Sequence, residues 1–142
     1  KPDNIVFDQK NKEKIYLIDF GLATKIFDKN GAHKDKKVRS NFIGNILYAS
    51  HNMCSFKSSS RRDDIQSLIY LFLFLINKEL PWFSPKKVAD NFNREKCFID
   101  RTENGHKYAK DILSECPQQL SQLFLDCFIL EFKEEPPYDR LI

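Results

Sequence analysis

The chain of 142 residues is 42% hydrophobic and 13% aromatic with a formal net charge of +3, as expected of one globular domain that can fill a core. Its four cysteines show neither a C-x-x-C pair nor a histidine spacing typical of zinc, so we expect reduced and mostly buried thiols. The longest apolar run has nine residues, whereas a membrane-spanning helix needs ~20. With no signal peptide, internal repeat or low-complexity segment evident, we expect a cytoplasmic or nuclear protein.

Two short apolar runs near the start predict a β-hairpin. Ile5–Phe7 and Ile15–Ile18 are β-branched, aromatic or aliphatic, and the residues between them are polar, as in a hairpin loop. Symmetric pairing would place Asn4 opposite Asp19 at the open end. An amide oxygen and a carboxylate together suit a Mg²⁺ ion that takes its other ligands from water and phosphate. Lys1, beside them, supplies a compact positive charge for a phosphate.

The order of these residues resembles the catalytic loop and metal-binding motif of eukaryotic protein kinases. There, H-R-D-x-K-P-x-N is followed by a strand pair and then D-F-G, and this chain has K-P-D-N at Lys1–Asn4 and D-F-G at Asp19–Gly21. Each motif alone occurs by chance in unrelated chains, but here both occur in order and at the family's spacing. The resemblance implies that Asn4 and Asp19 bind ATP through its Mg²⁺ ions and that Lys1 binds its transferred phosphoryl group. It also implies that Lys1 and Asp19 are catalytic residues.

Four later motifs resemble those of the casein kinase I family. Gly44–Asn52 matches its G-T-x-x-Y-A-S-x-N, Ser60–Leu68 its S-R-R-D-D-L-x-S-L, Leu80–Trp82 its L-P-W, and Phe132–Tyr138 its F-x-E-x-P-D-Y. The resemblance runs from the first residue nearly to the last but covers only the larger lobe. It implies a fold that is mainly α with a small β-hairpin, the C-terminal lobe of a protein-kinase-like α+β fold over residues 1–142.

The same resemblance implies structural roles in and below the activation segment for Gly21, Gly44, Asn45 and Asp64. Asn45 replaces a family Thr that braces the catalytic loop, and an amide can still donate and accept hydrogen bonds. Leu47 replaces a basic residue of an anion pocket, which removes one phosphate ligand. The family's equivalent of Asp64 accepts hydrogen bonds from the catalytic-loop backbone. Alternatively, Asp64 is only a first-turn acid that faces the helix dipole.

A central helix is predicted around the apolar run Leu68–Ile76, which we expect to be buried on all sides. Ser60 or Asp63 would cap its start, and Asn77–Lys78 marks its end.

The chain beyond Trp82 is predicted to be polar and broken, with short helices over Val88–Phe92 and Tyr108–Ser114. A clear helix follows over Gln118–Phe128, because its apolar residues recur at i, i+3, i+4 and i+7. These residues are Leu120, Leu123, Phe124 and Cys127.

Charge is concentrated between Ala23 and Arg62, which carry nine basic side chains against two acidic ones. A basic surface in this activation and docking region would attract acidic or phosphorylated protein substrates. A mobile, solvated loop without an anion site is the alternative. Nucleic acid is a third hypothesis, but no aromatic stacking or groove-reading motif accompanies the charge. The candidate substrate-binding residues are Lys34, Lys36, Lys37 and Arg39.

The sequence contains no glycine-rich phosphate loop, and the family's general-base Asp would stand two residues before Lys1. The Lys that grips the nucleotide phosphates belongs to the small lobe, which this sequence does not contain. We therefore expect the polypeptide as written to be inactive. Two hypotheses remain: the C-terminal lobe of a serine/threonine kinase whose other parts are encoded elsewhere in the gene, or a non-catalytic pseudokinase that binds other proteins.

Overall fold

The structure is a computed structural model that describes residues 1–85 and 94–140, with part of the side chains in the helix that begins at Arg94. It divides into two units, residues 1–34 and residues 35–142.

The first unit contains a two-stranded antiparallel β-hairpin. A 3₁₀ turn over Pro2–Asn4 leads into strand β1 (Ile5–Phe7), which pairs with strand β2 (Ile15–Leu17). Both strands lie where the apolar runs predict them, and β2 is one residue shorter than expected.

The register of the hairpin differs by one residue from the symmetric pairing, so that part of the prediction was wrong. Ile5 pairs with Leu17, and the N–H of Ile18 donates to the carbonyl of Asn4 at 2.9 Å. Asn4 therefore lies opposite Ile18, and Asp19 is the next residue along the chain. Asn4 and Asp19 share the open end of the hairpin in diagonal rather than opposed positions.

The loop between the strands sets this register. The N–H of Asp8 donates to the carbonyl of Lys14 at 2.8 Å and closes the loop. The Asp8 carboxylate accepts the N–H groups of Lys10 and Asn11 at 2.8 and 2.9 Å, and the hydroxyl of Tyr16 at 3.1 Å. These bonds to the charged carboxylate lower the pKa of Asp8. The Asp8 side chain thus helps to fix which residues of β1 and β2 pair.

The second unit is helical. Within the described residues, its helices are α1 (His51–Cys54), α2 (Arg61–Asn77), α3 (Arg94–Glu115) and α4 (Gln118–Ile129). Helix α2 packs on α4, and α1 packs on α3. A 3₁₀ turn over Tyr138–Arg140 follows the last helix. Together with the hairpin, this confirms the predicted class, mainly α with a small β-hairpin.

The ends of α2 agree with the sequence signals. Ser60 is the N-cap, and its N–H donates to the carboxylate of Asp63 at 2.8 Å. Lys78 ends the helix in the left-handed conformation with φ 62°.

The expectation that α2 is buried on all sides was wrong. Ile69, Tyr70 and Leu73 are buried, but another row of apolar side chains is exposed to solvent. The described structure covers only one side of the helix, because the packing against α4 uses the face of Gln66, Ile69 and Tyr70. The exposed stripe consists of Leu68, Phe72, Leu75 and Ile76, with exposed fractions of 37%, 39%, 44% and 55%. Among the described helices, none combines the length and the hydropathy required to cross a bilayer.

Helix α4 buries the apolar face that its periodicity predicts. Phe124 and Cys127 are fully buried, and Gln66 of α2 donates to the carbonyl of Cys127 at 3.3 Å. The ring of Phe124 lies 6.1 Å from that of Tyr70.

Helix α3 is longer than the sequence predicts, because a continuous helix replaces the polar, broken stretch expected before Tyr108. Its buried positions include Cys97, Arg101 and Ile112. An inward-facing arginine interrupts the apolar pattern, so sequence periodicity detects only the end of the helix. The short helix predicted over Val88–Phe92 lies outside the described residues.

The cysteines agree with the expectation of reduced, mostly buried thiols. Cys54, Cys97 and Cys127 are buried, and burial raises the pKa of each, for Cys127 to about 11. Cys116 is half-buried.

Candidate active-site residues and the segment that supports them

The open end of the hairpin brings together the residues expected to bind the metal. The 3₁₀ turn is closed by the N–H of Asn4, which donates to the carbonyl of Lys1 at 3.0 Å. The carbonyl of Asn4 in turn receives the N–H of Ile18, directly before Asp19. Lys1, Asn4 and Asp19 are therefore held at one end of one short ribbon.

Asp19 leaves the strand ladder with φ 63°, a left-handed conformation that costs about 1–2 kcal/mol for most residues and least for Asn and Asp. A Cβ atom added to Gly21 would lie 3.4 Å from Asp19 Oδ1, so the carboxylate lies close to the backbone of Gly21. The side chain of Asp19 is exposed.

The donor set fits a hard cation. Neither the Asp19 carboxylate nor the Asn4 amide forms a side-chain hydrogen bond or an ion pair within the described residues. The described residues also hold no group of three His, Cys, Asp or Glu side chains able to bind a metal ion alone. One carboxylate and one amide are typical of Mg²⁺ that takes its remaining ligands from phosphate and water. Metal binding by Asn4 and Asp19 stays a prediction.

Lys1 has a weak partner. Its ammonium lies 3.8 Å from the carboxylate of Asp3, and both side chains are exposed. An exposed pair at this distance contributes little stability. The ammonium is therefore able to turn to another anion, such as a phosphate.

A second group of predicted residues begins the segment over residues 44–52, here called the docking segment. Gly44 has φ 125°, and a Cβ there would lie 3.2 Å from Met53 Cε, so both its conformation and its surroundings favour glycine. Asn45 Oδ1 accepts the N–H of Leu47 at 2.9 Å, and the Asn45 carbonyl accepts that of Ala49 at 2.9 Å. Asn45 thus stabilises its own turn.

A buried arginine, which the sequence did not indicate, binds the backbone of the docking segment. Arg101 of α3 is 3% exposed and donates to the carbonyls of Ile46 and Ala49, each at 2.5 Å. Its guanidinium lies 4.1 Å from the centre of the Trp82 ring, an arrangement that gives a cation–π attraction.

Trp82, from the L-P-W motif, completes this support. Its indole N–H donates to the carbonyl of Leu47 at 3.0 Å. The rings of Tyr70 and Tyr108 pack edge-on against it at 5.1 and 5.4 Å. One aromatic and cationic cluster therefore binds three backbone carbonyls of the docking segment, those of Ile46, Leu47 and Ala49.

A buried carboxylate fixes the other end of the docking segment. Asp63 of α2 is fully buried and accepts hydrogen bonds from Ser50 Oγ at 2.5 Å and Asn52 Nδ2 at 3.2 Å. The N–H of Ser60 also donates to it at 2.8 Å. Asp63 thereby joins the Y-A-S-H-N motif to the S-R-R-D-D motif.

Asp64, the predicted support of the catalytic loop, has an exposed side chain. Desolvation by the surrounding protein, followed by the nearby Asp63 carboxylate, raises the pKa of Asp64. Its position in the first turn of α2 agrees with a helix-dipole role. Its role below the catalytic loop stays a prediction.

Two of the nine basic residues between Ala23 and Arg62 form hydrogen bonds or ion pairs with other residues of the protein. Arg61 donates to the carbonyl of Lys133 at 2.8 Å and lies 3.4 Å from Glu135. Arg62 is buried and donates to the carbonyl of Leu130. Neither guanidinium can serve a basic docking surface.

The four candidate substrate-binding residues fall in different units. Lys34 belongs to the first unit, whereas Lys36, Lys37 and Arg39 belong to the second. Lys34, Lys36 and Lys37 are exposed, and Arg39 is half-buried.

Comparison with known proteins gives a consistent result. A probable casein kinase I homologue of Encephalitozoon cuniculi is 31% identical over 141 residues, which are 99% of this chain and 43% of that protein. Casein kinase I homolog 2 of Schizosaccharomyces pombe is 29% identical over 142 residues, 97% of this chain and 32% of that protein. A casein kinase 1-like protein of Oryza sativa subsp. japonica is 32% identical over an alignment of 147 positions, which covers 100% of this chain and 20% of that protein. No protein-family model matches the chain.

These matches and the helical fold with its hairpin define a protein-kinase C-terminal lobe. Over 97–100% of its length the chain is similar to casein kinase I homologues, as its motifs indicate. It spans less than half the length of the curated relatives that it matches.

Proposed function

We propose that this chain forms the C-terminal lobe of a serine/threonine kinase that transfers the γ-phosphoryl group of ATP to a hydroxyl group of an acidic protein substrate. The observation that carries the proposal is the match to casein kinase I homologues over 97–100% of the chain. We place the complete protein in the cytoplasm or the nucleus.

Each residue at the open end of the hairpin has a role in this proposal. The oxygens of Asn4 and Asp19 would hold magnesium, and the ammonium of Lys1 would contact the transferred phosphoryl group. When bound, ATP and Mg²⁺ supply the phosphoryl group and neutralise its negative charge. Backbone hydrogen bonds of the short hairpin hold the three residues at one end, which would limit the reorganisation needed on binding.

The docking segment would position the substrate. Its backbone is fixed by Arg101 at the carbonyls of Ile46 and Ala49, and by Asp63 at Ser50. A rigid support of this kind would hold a bound substrate segment in one position.

The test is a phosphoryl-transfer assay on the complete protein, with ATP, Mg²⁺ and casein as an acidic substrate. Asp19→Asn is expected to lower the rate by ~10²–10³, as is typical for the loss of one group that stabilises transition-state charge. Glu13→Gln removes one negative charge from the exposed loop of the same hairpin and should leave the rate unchanged. Full activity of Asp19→Asn would contradict the proposed role.

The 142-residue chain by itself is expected to bind no ATP–Mg²⁺ in calorimetry at millimolar nucleotide. In the family, the glycine-rich loop and the phosphate-gripping Lys lie outside the region that this chain matches. Metal-dependent nucleotide binding that disappears in Asp19→Asn would contradict this expectation.

A non-catalytic, protein-binding pseudokinase is the second candidate function. The exposed stripe on α2 favours it, because an apolar row of this kind is typical of an interaction surface. A complete protein that transfers no phosphoryl group would support this alternative over the kinase.

A further inference from the structure

A short antiparallel pairing in the second unit creates an open strand edge. The N–H of Arg39 donates to the carbonyl of Phe56 at 2.7 Å, and the N–H of Ser58 donates to the carbonyl of Lys37 at 2.8 Å. These two bonds flank the bridge between Val38 and Lys57.

The backbone of Val38 points away from residues 56–58, because in this pattern the bonds to the partner come from its two neighbours. Within the described residues, neither its N–H nor its carbonyl has a backbone partner. Its side chain is 84% exposed. Val38 is therefore the centre of an edge that can accept another strand.

Basic side chains surround this edge on both faces. Val38 and Lys57 share one face because they are paired directly, and alternation along an extended chain places Lys36 on that face as well. Lys37 and Arg39 lie on the opposite face. Within the described residues, none of these four cations forms an ion pair or a side-chain hydrogen bond.

The nearest acid in sequence does not neutralise them. Asp35 is bound by the ammonium of Lys133 at 2.7 Å. The edge therefore combines unused backbone hydrogen-bonding groups with an unbalanced positive charge.

We propose that this edge, residues 36–39 with Lys57, binds an extended acidic polypeptide segment by β-strand addition. Backbone bonds to Val38 would fix the register, and acidic side chains on either face of the added strand would meet the four cations. The proposal deepens the recognition of acidic substrates proposed above and rests on that function for its role. Binding itself requires no catalysis.

The kind of ligand follows from the open backbone edge and the positive charge together. A free anion would use the charge but leave the edge unpaired, and an apolar peptide would use the edge but not the charge. An extended peptide rich in Asp or Glu uses both. The surface differs from the anion pocket in which Leu47 replaces a basic residue, because none of its residues belongs to the docking segment.

The test measures binding of a labelled synthetic peptide that alternates Glu and Thr to the 142-residue chain, by fluorescence anisotropy without nucleotide. The double variant Lys36→Glu/Lys57→Glu is expected to bind about tenfold more weakly, because two exposed attractions become repulsions. The control Lys10→Glu/Lys12→Glu makes the same charge change in the hairpin loop and should leave the affinity within about twofold.

A second peptide tests the backbone pairing without altering the protein. N-methylation of its central residues removes N–H donors at constant charge and is expected to weaken binding about tenfold. Equal binding of the methylated peptide, or equal effects of the two double variants, would overturn the proposal. So would binding of an oligothymidylate as tight as that of the peptide. Because no ATP is present, failure of the kinase proposal leaves this result unaffected.

Discussion

The hydroxyl of Ser50 donates a 2.5 Å hydrogen bond to the buried carboxylate of Asp63. The same oxygen also accepts the side chain of Asn52, while the second oxygen accepts the N–H of Ser60. Two motifs that are separate in sequence thus share one buried charge, which is compensated by hydrogen bonds from three residues.

Replacement of Asp63 by Ala is expected to lower the free energy of unfolding by about 3–5 kcal/mol. The substitution leaves the donors of Ser50 and Ser60 buried without an acceptor. Urea unfolding of the 142-residue chain measures the effect. Asp64→Ala is the matched control, because it removes the adjacent, exposed acid and should cost about 1 kcal/mol or less. Equal losses in the two variants would contradict the buried role of Asp63.

Replacement of Arg101 by Lys is expected to cost about 2–3 kcal/mol. An ammonium is a compact donor that cannot reproduce the planar guanidinium, which bonds two carbonyls and stacks on Trp82. Trp82 is the only tryptophan in the chain, so its emission reports this site directly and should change in the folded variant. Glu103→Gln, an exposed position on the same helix, serves as the control. An unchanged emission spectrum would show that Arg101 does not contact the indole.

Cys116 is expected to react first with a thiol reagent near neutral pH. It is half-buried, whereas Cys54, Cys97 and Cys127 are buried and have raised pKa values that reduce their thiolate fraction. Cys116→Ser should remove the fast phase and leave the slow one. A persistent fast phase in that variant would place an accessible thiol elsewhere.

Stability is expected to fall between pH 10 and pH 12 through Tyr70. Burial raises the pKa of Tyr70 to about 12 from its ordinary value of 10.0. Below pH 10 the phenol is protonated in both states and contributes no pH dependence. Between the two values only the unfolded chain loses the proton, which favours unfolding. In urea unfolding across this range, Tyr70→Phe should lose less stability than the unaltered chain, and parallel losses would contradict the shifted pKa.

Local signals in the sequence predict several elements well. The apolar runs of the hairpin, the cap at Ser60 and the stop at Lys78 depend on residues close in sequence, and so does the periodicity of α4. These elements are predicted correctly because short-range sterics and hydrogen bonds largely determine them.

Features that depend on one distant or unusual contact are not predicted. The hairpin register follows from the hydrogen bonds of Asp8, and a one-residue shift changes which side chains meet. From the sequence alone, Arg101 cannot be distinguished from a solvent-exposed cation. In the structure it is buried, and carbonyls and an aromatic ring compensate its charge. Asp63 and Asp64 are indistinguishable as letters, and tertiary packing decides that Asp63 is the buried one.

The apolar stripe on α2 also affects how this polypeptide behaves in water. Leu68, Phe72 and Leu75 lie three or four residues apart, Ile76 follows Leu75 directly, and all four expose apolar side chains to neighbouring molecules. At high concentration two such helices attract each other without any specific fit. Purification of the 142-residue chain therefore calls for mild detergent or dilute solution, since self-association would otherwise compete with measurements of its monomeric properties.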